Sequence, residues 1–251
     1  MSTPALATRG LCKTFGSLVV ASDVELHLPR GARHALIGPN GAGKTTLINL
    51  ITGMLRPDAG QILLGEDEIT TLEPEARVRR GLVRTFQVNA LFPNLNALEA
   101  VALAVCERQG VARTWLKPVS SYRDAVDESY DILASLMLGS DCYRPTRELA
   151  YGQQRLLEIA LALATRPKVL LLDEPAAGVP REESAALFLA VTRLSQDIAV
   201  LFIEHDMDFV FRFASRIIVM VAGRVLTEGS PDEIAADSRV REIYLGRRRH
   251  G

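Results

Sequence analysis

The run Gly38-Pro39-Asn40-Gly41-Ala42-Gly43-Lys44-Thr45-Thr46 constrains this chain more than any other stretch. It matches G-x-x-x-x-G-K-S/T. An apolar segment at 35–37 precedes it and a helix-compatible segment at 45–54 follows, so strand, loop and helix stand in the order a phosphate-binding (Walker A) loop needs. Gly38, Gly41 and Gly43 allow the backbone to curl with its N–H groups turned inward. The positive end of the following helix adds to that field. In such a loop Lys44 reaches the β and γ phosphates of a nucleotide, and Thr45 offers its hydroxyl to Mg²⁺. A Gly-rich turn with a chance lysine would not come in this context. The loop therefore points to a nucleoside triphosphatase.

Two further strand ends carry candidate chemistry. The run 169–172 is wholly apolar, as a strand buried on both faces of a parallel sheet requires, and it ends in Asp173-Glu174-Pro175. An acidic pair at that end of a strand faces the phosphate region in this class of sheet. Asp173 is a candidate for holding Mg²⁺, and Glu174 for polarising an attacking water. A second apolar strand, 199–203, ends in Glu204-His205-Asp206. His205 has two usable ring nitrogens and a near-neutral reference pKa, suited to a γ-phosphate or the attacking water. Gln87 follows a strand-like segment at 81–86 and can complete a Mg²⁺ shell through its amide oxygen or orient a water. Phe15, expected in a loop beside Gly16, is either an adenine-stacking ring or a core phenylalanine.

The remainder is organised around these points. Segments 6–11, 19–20 and 24–28 read as short strands, with a turn at 29–31. A turn at 55–60 leads to a strand at 61–64, and 75–80 reads as a short helix. Apolar residues at helical spacing begin near 96, and a second amphipathic helix is expected at 125–137, with Trp115 in the link as a packing residue. A helix opens at 149–154, runs to 164 and is stopped by Arg166-Pro167. Helices are expected at 182–195, from 206 to 213 and at 231–236, with a hairpin over 216–228. The fold class implied is α/β, with an N-terminal β region and a helical insert.

Composition narrows the class. A net charge of -1 over 251 residues gives no reason to expect nucleic acid as a partner. The three cysteines, Cys12, Cys106 and Cys142, show no C-x-x-C pair, so a reducing compartment without structural zinc is expected. Residues 1–8 lack the pattern of a signal peptide, and no window approaches the length of a membrane span. The basic tail at 247–250 reads as a solvated terminus.

Taken in order, the landmarks resemble the ATP-binding subunits of ABC transporters, over essentially the whole chain. The run 38–46 is similar to the family's Walker A and 169–173 to its Walker B. Glu174 matches the catalytic glutamate, Gln87 the Q-loop glutamine, His205 the switch histidine and Phe15 the adenine-stacking aromatic. Residues Leu149-Ala150-Tyr151-Gly152-Gln153 take the place of the signature Leu-Ser-Gly-Gly-Gln. Arg84-Thr85-Phe86-Gln87, the stretch 151–160, the stretch 173–178 and Ile203-Glu204-His205-Asp206-Met207 look like the LivG type, the larger of the paired ATPases of branched-chain amino acid importers. The resemblance implies a single nucleotide-binding domain over 1–251, a P-loop fold with a helical subdomain inserted at approximately 96–165 into a RecA-like core, and ATP with Mg²⁺ as ligands. It implies a second ATPase subunit, either a copy of this chain or a smaller LivF-like homologue. It also implies two transmembrane permease subunits, a solute-binding protein, and a peripheral position on the cytoplasmic face of the inner membrane.

In that family ATP lies between Walker A of one subunit and the signature helix of the other. Ala150, Tyr151, Gly152 and Gln153 would then meet the nucleotide of the facing subunit, Gly152 by close approach and the helix N-terminus by its unpaired N–H groups. Two residues depart from the pattern. Ala150 replaces the signature serine, and Pro180 stands where the subfamily usually has asparagine. The alternatives are a soluble ABC-type ATPase acting on a ribosome or nucleic-acid machine, a weakly catalytic regulatory subunit, and an exporter ATPase. A ribosome-acting relative would carry two cassettes and a DNA-repair relative a long coiled coil or zinc modules. Here there is one cassette with a short insert.

Overall fold

The computed structural model describes residues 3–85, 91–111 and 121–245, with only the backbone described at 245. Gln87, Trp115 and the basic tail lie outside the described residues.

The N-terminal region is an antiparallel sheet of β1 (Leu6–Phe15), β2 (Leu18–Leu28), β4 (Ala59–Leu64) and the two-residue β5 (Asp67–Glu68), in the order β2-β1-β4-β5. The sequence suggested three short strands over 6–28. The structure makes two long ones, whose pairing shifts register between Thr8 and Leu11 and again on either side of Lys13. Asp23 takes φ 53 beside these shifts, a conformation that breaks the alternation and hides the continuity of β2 from a periodicity reading. Phe15 consequently ends a strand, opposite Leu18, instead of lying in a loop.

The second sheet is the core. Its strands are β3 (Arg33–Ile37), β6 (Leu82–Arg84), β7 (Val169–Asp173), β8 (Ala199–Ile203), β9 (Arg216–Val221) and β10 (Arg224–Gly229), in the order β10-β9-β3-β8-β7-β6. All neighbours are parallel except the β9–β10 hairpin. Its interior strands bury both faces. Ala35, Leu170, Leu172, Val200, Phe202, Ile217 and Val219 pack into one apolar cluster, while the alternating Leu36, Leu171, Leu201, Ile203 and Ile218 pack into another. That is why these strands read as continuous apolar runs.

The first cluster is closed by helices α3 (Ala97–Arg108), α4 (Arg123–Ser135), α5 (Tyr151–Ala164), α6 (Arg181–Thr192) and α7 (Met207–Phe213). Phe188 of α6 stacks on Phe209 and Phe213 of α7 at centroid distances of 5.1 and 5.3 Å. Helix α3 starts with a full capping box at Asn96 and Glu99. The second cluster contains α1 (Lys44–Thr52) and the inner face of the N-terminal sheet. Helices α2 (Pro74–Arg79), α8 (Pro231–Ala236) and α9 (Ser238–Leu245) complete the order. Helix α9 was not expected, because its arginines obscure the apolar spacing. Among the described residues no helix is long and apolar enough to cross a membrane.

Two buried arginines fix the position of β3 and α1. Arg33 spans the foot of the sheet, donating to the carbonyls of Val191, Leu194 and Ile198 among others. Arg77 is fully buried and donates to Leu50 O at 2.8 Å and Ile51 O at 2.6 Å, at the C-terminal end of α1. A cation there satisfies orphan carbonyls and complements the helix dipole.

Candidate active site

The site starts from the asymmetry of α1. Its C-terminal end is capped by Gly53 and by Arg77, whereas its N-cap, Gly43, offers no side-chain acceptor. The first-turn N–H groups of α1 are thus left to an external anion. Gly43 sits at φ 100, and a Cβ on it would lie 2.6 Å from the Val20 carbonyl. A Cβ on Gly38 would collide with the Met220 carbonyl. The loop is therefore wedged between β2 and β9.

Lys44 is buried, and its Nζ donates to Gly38 O at 2.7 Å and Pro39 O at 3.1 Å. Burial lowers its pKa, and the carboxylates of Glu174 and Asp173 act in the opposite direction. Those two carboxylates come from the end of β7, so the structure brings Lys44, Asp173 and Glu174 together as the sequence suggested. Thr45 is exposed at the start of α1 and Thr46 half-buried, while Asn40 and Gly41 face solvent. Pro39 and Ala42 close the loop internally through Ala42 N to Pro39 O at 3.1 Å.

Glu174 adopts φ 48, unusual for a residue with a side chain. It is held there by its N–H, which donates to Ile203 O at 3.1 Å. Its Oε1 lies 2.6 Å from His205 Nε2. Parallel pairing of Asp173 with Ile203 sets β7 and β8 in the register that makes this contact. Phe15 is half exposed, with Lys13 Nζ 5.6 Å from its ring centroid. The Phe15–Leu18 turn leads to Val20, whose carbonyl abuts Gly43, so the strand that follows this aromatic reaches the phosphate loop.

The Mg²⁺ expectation rests on Thr45, Gln87 and Asp173. A hydroxyl and a carboxylate suit a hard oxygen-seeking cation that takes its remaining ligands from phosphate and water, so the donor set fits. Asp173 is already paired with Arg84, whose Nη2 is 2.5 Å away and whose Nη1 donates to Asn49 of α1 at 2.7 Å. Gln87 lies outside the described residues.

The signature segment is elsewhere. Helix α5 packs on α3, α4 and α6, whereas α1 packs on β2 and β6. One expectation needs correction. The Gly152 N–H is not unpaired, because it donates at 2.8 Å to a carboxylate oxygen of Glu183 from α6. A Cβ on Gly152 would collide with that carboxylate, so the glycine permits an internal contact as well as any external one. Gln153 is similarly engaged, accepting from Ala150 N at 3.0 Å and donating to Asp141 at 2.9 Å. Tyr151 accepts from Arg155 at 2.9 Å and lies against Gly178. Pro180 is the N-cap of α6 and supplies no side-chain cap.

Sequence reasoning missed three residues that touch this machinery: Arg84 on Asp173, Glu183 on Gly152, and Glu204, whose buried carboxylate accepts from Ala176 N and His205 N. A charged residue within or just after an apolar strand was the available signal for Arg84 and Glu204.

Residues 21–177 match the family model described as ABC transporter, and residues 224–250 that described as branched-chain amino acid ATP-binding cassette transporter. The chain is 38% identical to the high-affinity branched-chain amino acid transport ATP-binding proteins BraF of Pseudomonas aeruginosa and LivG of Escherichia coli, over 98% of this chain and 99% of each relative. It superposes on the ADP conformation of the ATP-binding cassette MJ1267 with a TM-score of 0.84 at 32% identity, covering 98% of this chain and 100% of that one. The phosphate loop, the paired strand ends and these matches lead to one conclusion: the chain belongs to the ATP-binding subunits of ABC transporters and resembles the LivG-type ATPases of branched-chain amino acid importers.

Proposed function

We propose that this chain hydrolyses ATP to drive import of branched-chain or related amino acids. It would work as one of two ATPase subunits beneath two permease subunits served by a solute-binding protein. The observation that carries the catalytic part is the Glu174–His205 contact of 2.6 Å beside Lys44. Lys44 leaves the loop carbonyls for the β and γ phosphates, and the uncapped first turn of α1 receives the phosphate oxygens. Glu174 takes the proton of the attacking water while His205 holds its carboxylate in place. Mg²⁺, held by Thr45, Asp173 and Gln87, would neutralise charge on the β and γ oxygens. Phe15 stacks on the adenine.

The amino-acid class is supported by the 38% identity to BraF and LivG and by the match at 224–250. The nucleotide is supported by the likeness to a cassette described in its ADP conformation. The helical subdomain, taken as roughly 96–165, would meet the permeases near the Gln87 loop. Purification of the tagged chain from its own membranes should recover two permease subunits. Vesicles containing that complex should take up labelled leucine, isoleucine or valine with ATP, and not with the Glu174→Gln variant. Recovery of ribosomes or nucleic acid instead, or uptake indifferent to Glu174→Gln, contradicts the proposal.

A further inference from the structure

Glu204 has no part in the mechanism above, yet it is 6% exposed and stands directly before His205. Its two carboxylate oxygens are taken by two different loops. Oε1 accepts from Ala176 N at 3.0 Å, in the turn just after Glu174, and Oε2 accepts from His205 N at 3.2 Å. Burial and the nearby Glu174 raise its carboxyl pKa, while the two N–H groups and His205 act against that rise. A carboxylate removed from water is retained here by backbone donors.

We propose that Glu204 is a positioning residue whose carboxylate ties the turn after Glu174 to the loop of His205, and so holds the Glu174–His205 contact in its reactive geometry. The inference rests on the reading of Glu174 as the base. Three observations converge on it. Glu174 is in a left-handed conformation that a side chain disfavours, so something must hold it. The end of β8 grips that turn at two nearby points, Ile203 O on Glu174 N and Glu204 on Ala176 N. The His205 ring is 48% exposed, so packing alone does not fix it, and the anchoring of its backbone N–H has to supply what packing does not. The cleft beside the pair, about 320 Å³ and lined by Glu174, Ala177, Arg181, Glu204 and His205, leaves room for the ring to swing away.

The requirement is specific to a carboxylate. Two N–H groups from different loops need two acceptor oxygens on one side chain. Glutamine has the same shape but turns an NH₂ toward one of them. A residue that merely filled space would tolerate glutamine.

The test is a double-mutant cycle in the full chain, with Glu204→Gln and Glu204→Ala made in the wild-type and His205→Ala backgrounds. Turnover and MgATP affinity are read for each, and the ¹⁵N signal of the His205 ring at fixed pH for the variants that keep the histidine. In the wild-type background Glu204→Ala should lower kcat roughly 10–100-fold, as a displaced catalytic group does, with affinity within about threefold. Glu204→Gln should fall between it and wild type. Both should shift the His205 Nε2 signal. In the His205→Ala background either substitution should cost less than about threefold, because the contact being held is gone. Losses of equal size in both backgrounds, a parallel loss of affinity, or an unmoved ring signal overturn the positioning role. The isosteric Gln variant keeps the cycle readable if the Ala variant does not fold. Turnover unaffected by Glu174→Gln overturns the underlying reading of the base and this inference together, whereas equal losses in the cycle overturn this inference alone.

Discussion

The Walker half of the site and the signature half differ in the contacts their residues make within the chain. In the Walker half, groups of both charges share one small region. Lys44 feels Asp173 and Glu174, Glu174 touches His205, and Asp173 holds Arg84. Its phosphate loop is wedged by Val20 and Met220 and its helix starts uncapped. In the signature half the segment 150–153 carries no charged side chain. What it can offer an anion is backbone N–H, and at Gly152 a carboxylate of the same chain is already bound. The contrast teaches that contacts within the chain gather charged side chains around the phosphate loop in one half, while in the other they commit the Gly152 N–H to Glu183.

The largest effect should come from removing the base. Glu174→Gln should lower hydrolysis by roughly 10²- to 10⁴-fold while sparing MgATP binding, since the amide keeps the shape and loses the basicity. Steady-state turnover measured beside equilibrium binding checks it, and substantial residual turnover would remove Glu174 from the mechanism.

A pH scan separates the fold beneath the Walker half from its chemistry. His34, buried in β3, has its pKa lowered to about 4, chiefly by burial, and its Nδ1 has no hydrogen-bond partner among the described residues. The unfolded chain therefore binds this proton first. Stability is full above about pH 6.5 and falls as pH drops toward 4, by at most about 3 kcal/mol. Chemical denaturation between pH 7 and 4 should show the fall, and His34→Gln should flatten it. An unchanged slope in that variant would assign the loss to other groups.

Smaller effects are expected in the signature half. Glu183→Gln, in the Glu174→Gln background, should tighten ATP-dependent dimerisation about two- to fivefold, because a carboxylate at a helix N-terminus is worth roughly 0.3–1 kcal/mol and closure has to displace it. Ala150→Ser should raise hydrolysis by the dimer several-fold through the added donor. It should also stabilise the chain by about 1 kcal/mol, since α5 now starts with no side-chain cap. Sedimentation and turnover read these, and no change in either would make the signature half as complete as the Walker half.

Much of the Walker half was legible in the sequence because each piece is local. A strand buried on both faces has to be an apolar run, so β3, β7 and β8 declare themselves, and the residues proposed for catalysis lie immediately beyond. The signature half was legible as a motif and misread as a surface. Glu183 and Gly152 are neighbours only in the folded chain, and no periodicity connects them. Arg84 with Asp173, and Glu204 with Ala176, escaped for the same reason. Strands β1 and β2 were broken up because their register shifts interrupt the alternation on which a strand reading depends.

The most direct test of the division is MgATP affinity of the isolated chain, at concentrations too low for it to pair, for Lys44→Ala and for Ala150→Ser combined with Glu183→Gln. Lys44→Ala should weaken binding roughly 100-fold, as loss of a charge-assisted phosphate contact does, and the signature double variant should bind like wild type. A loss in the double variant comparable to that of Lys44→Ala would contradict the account.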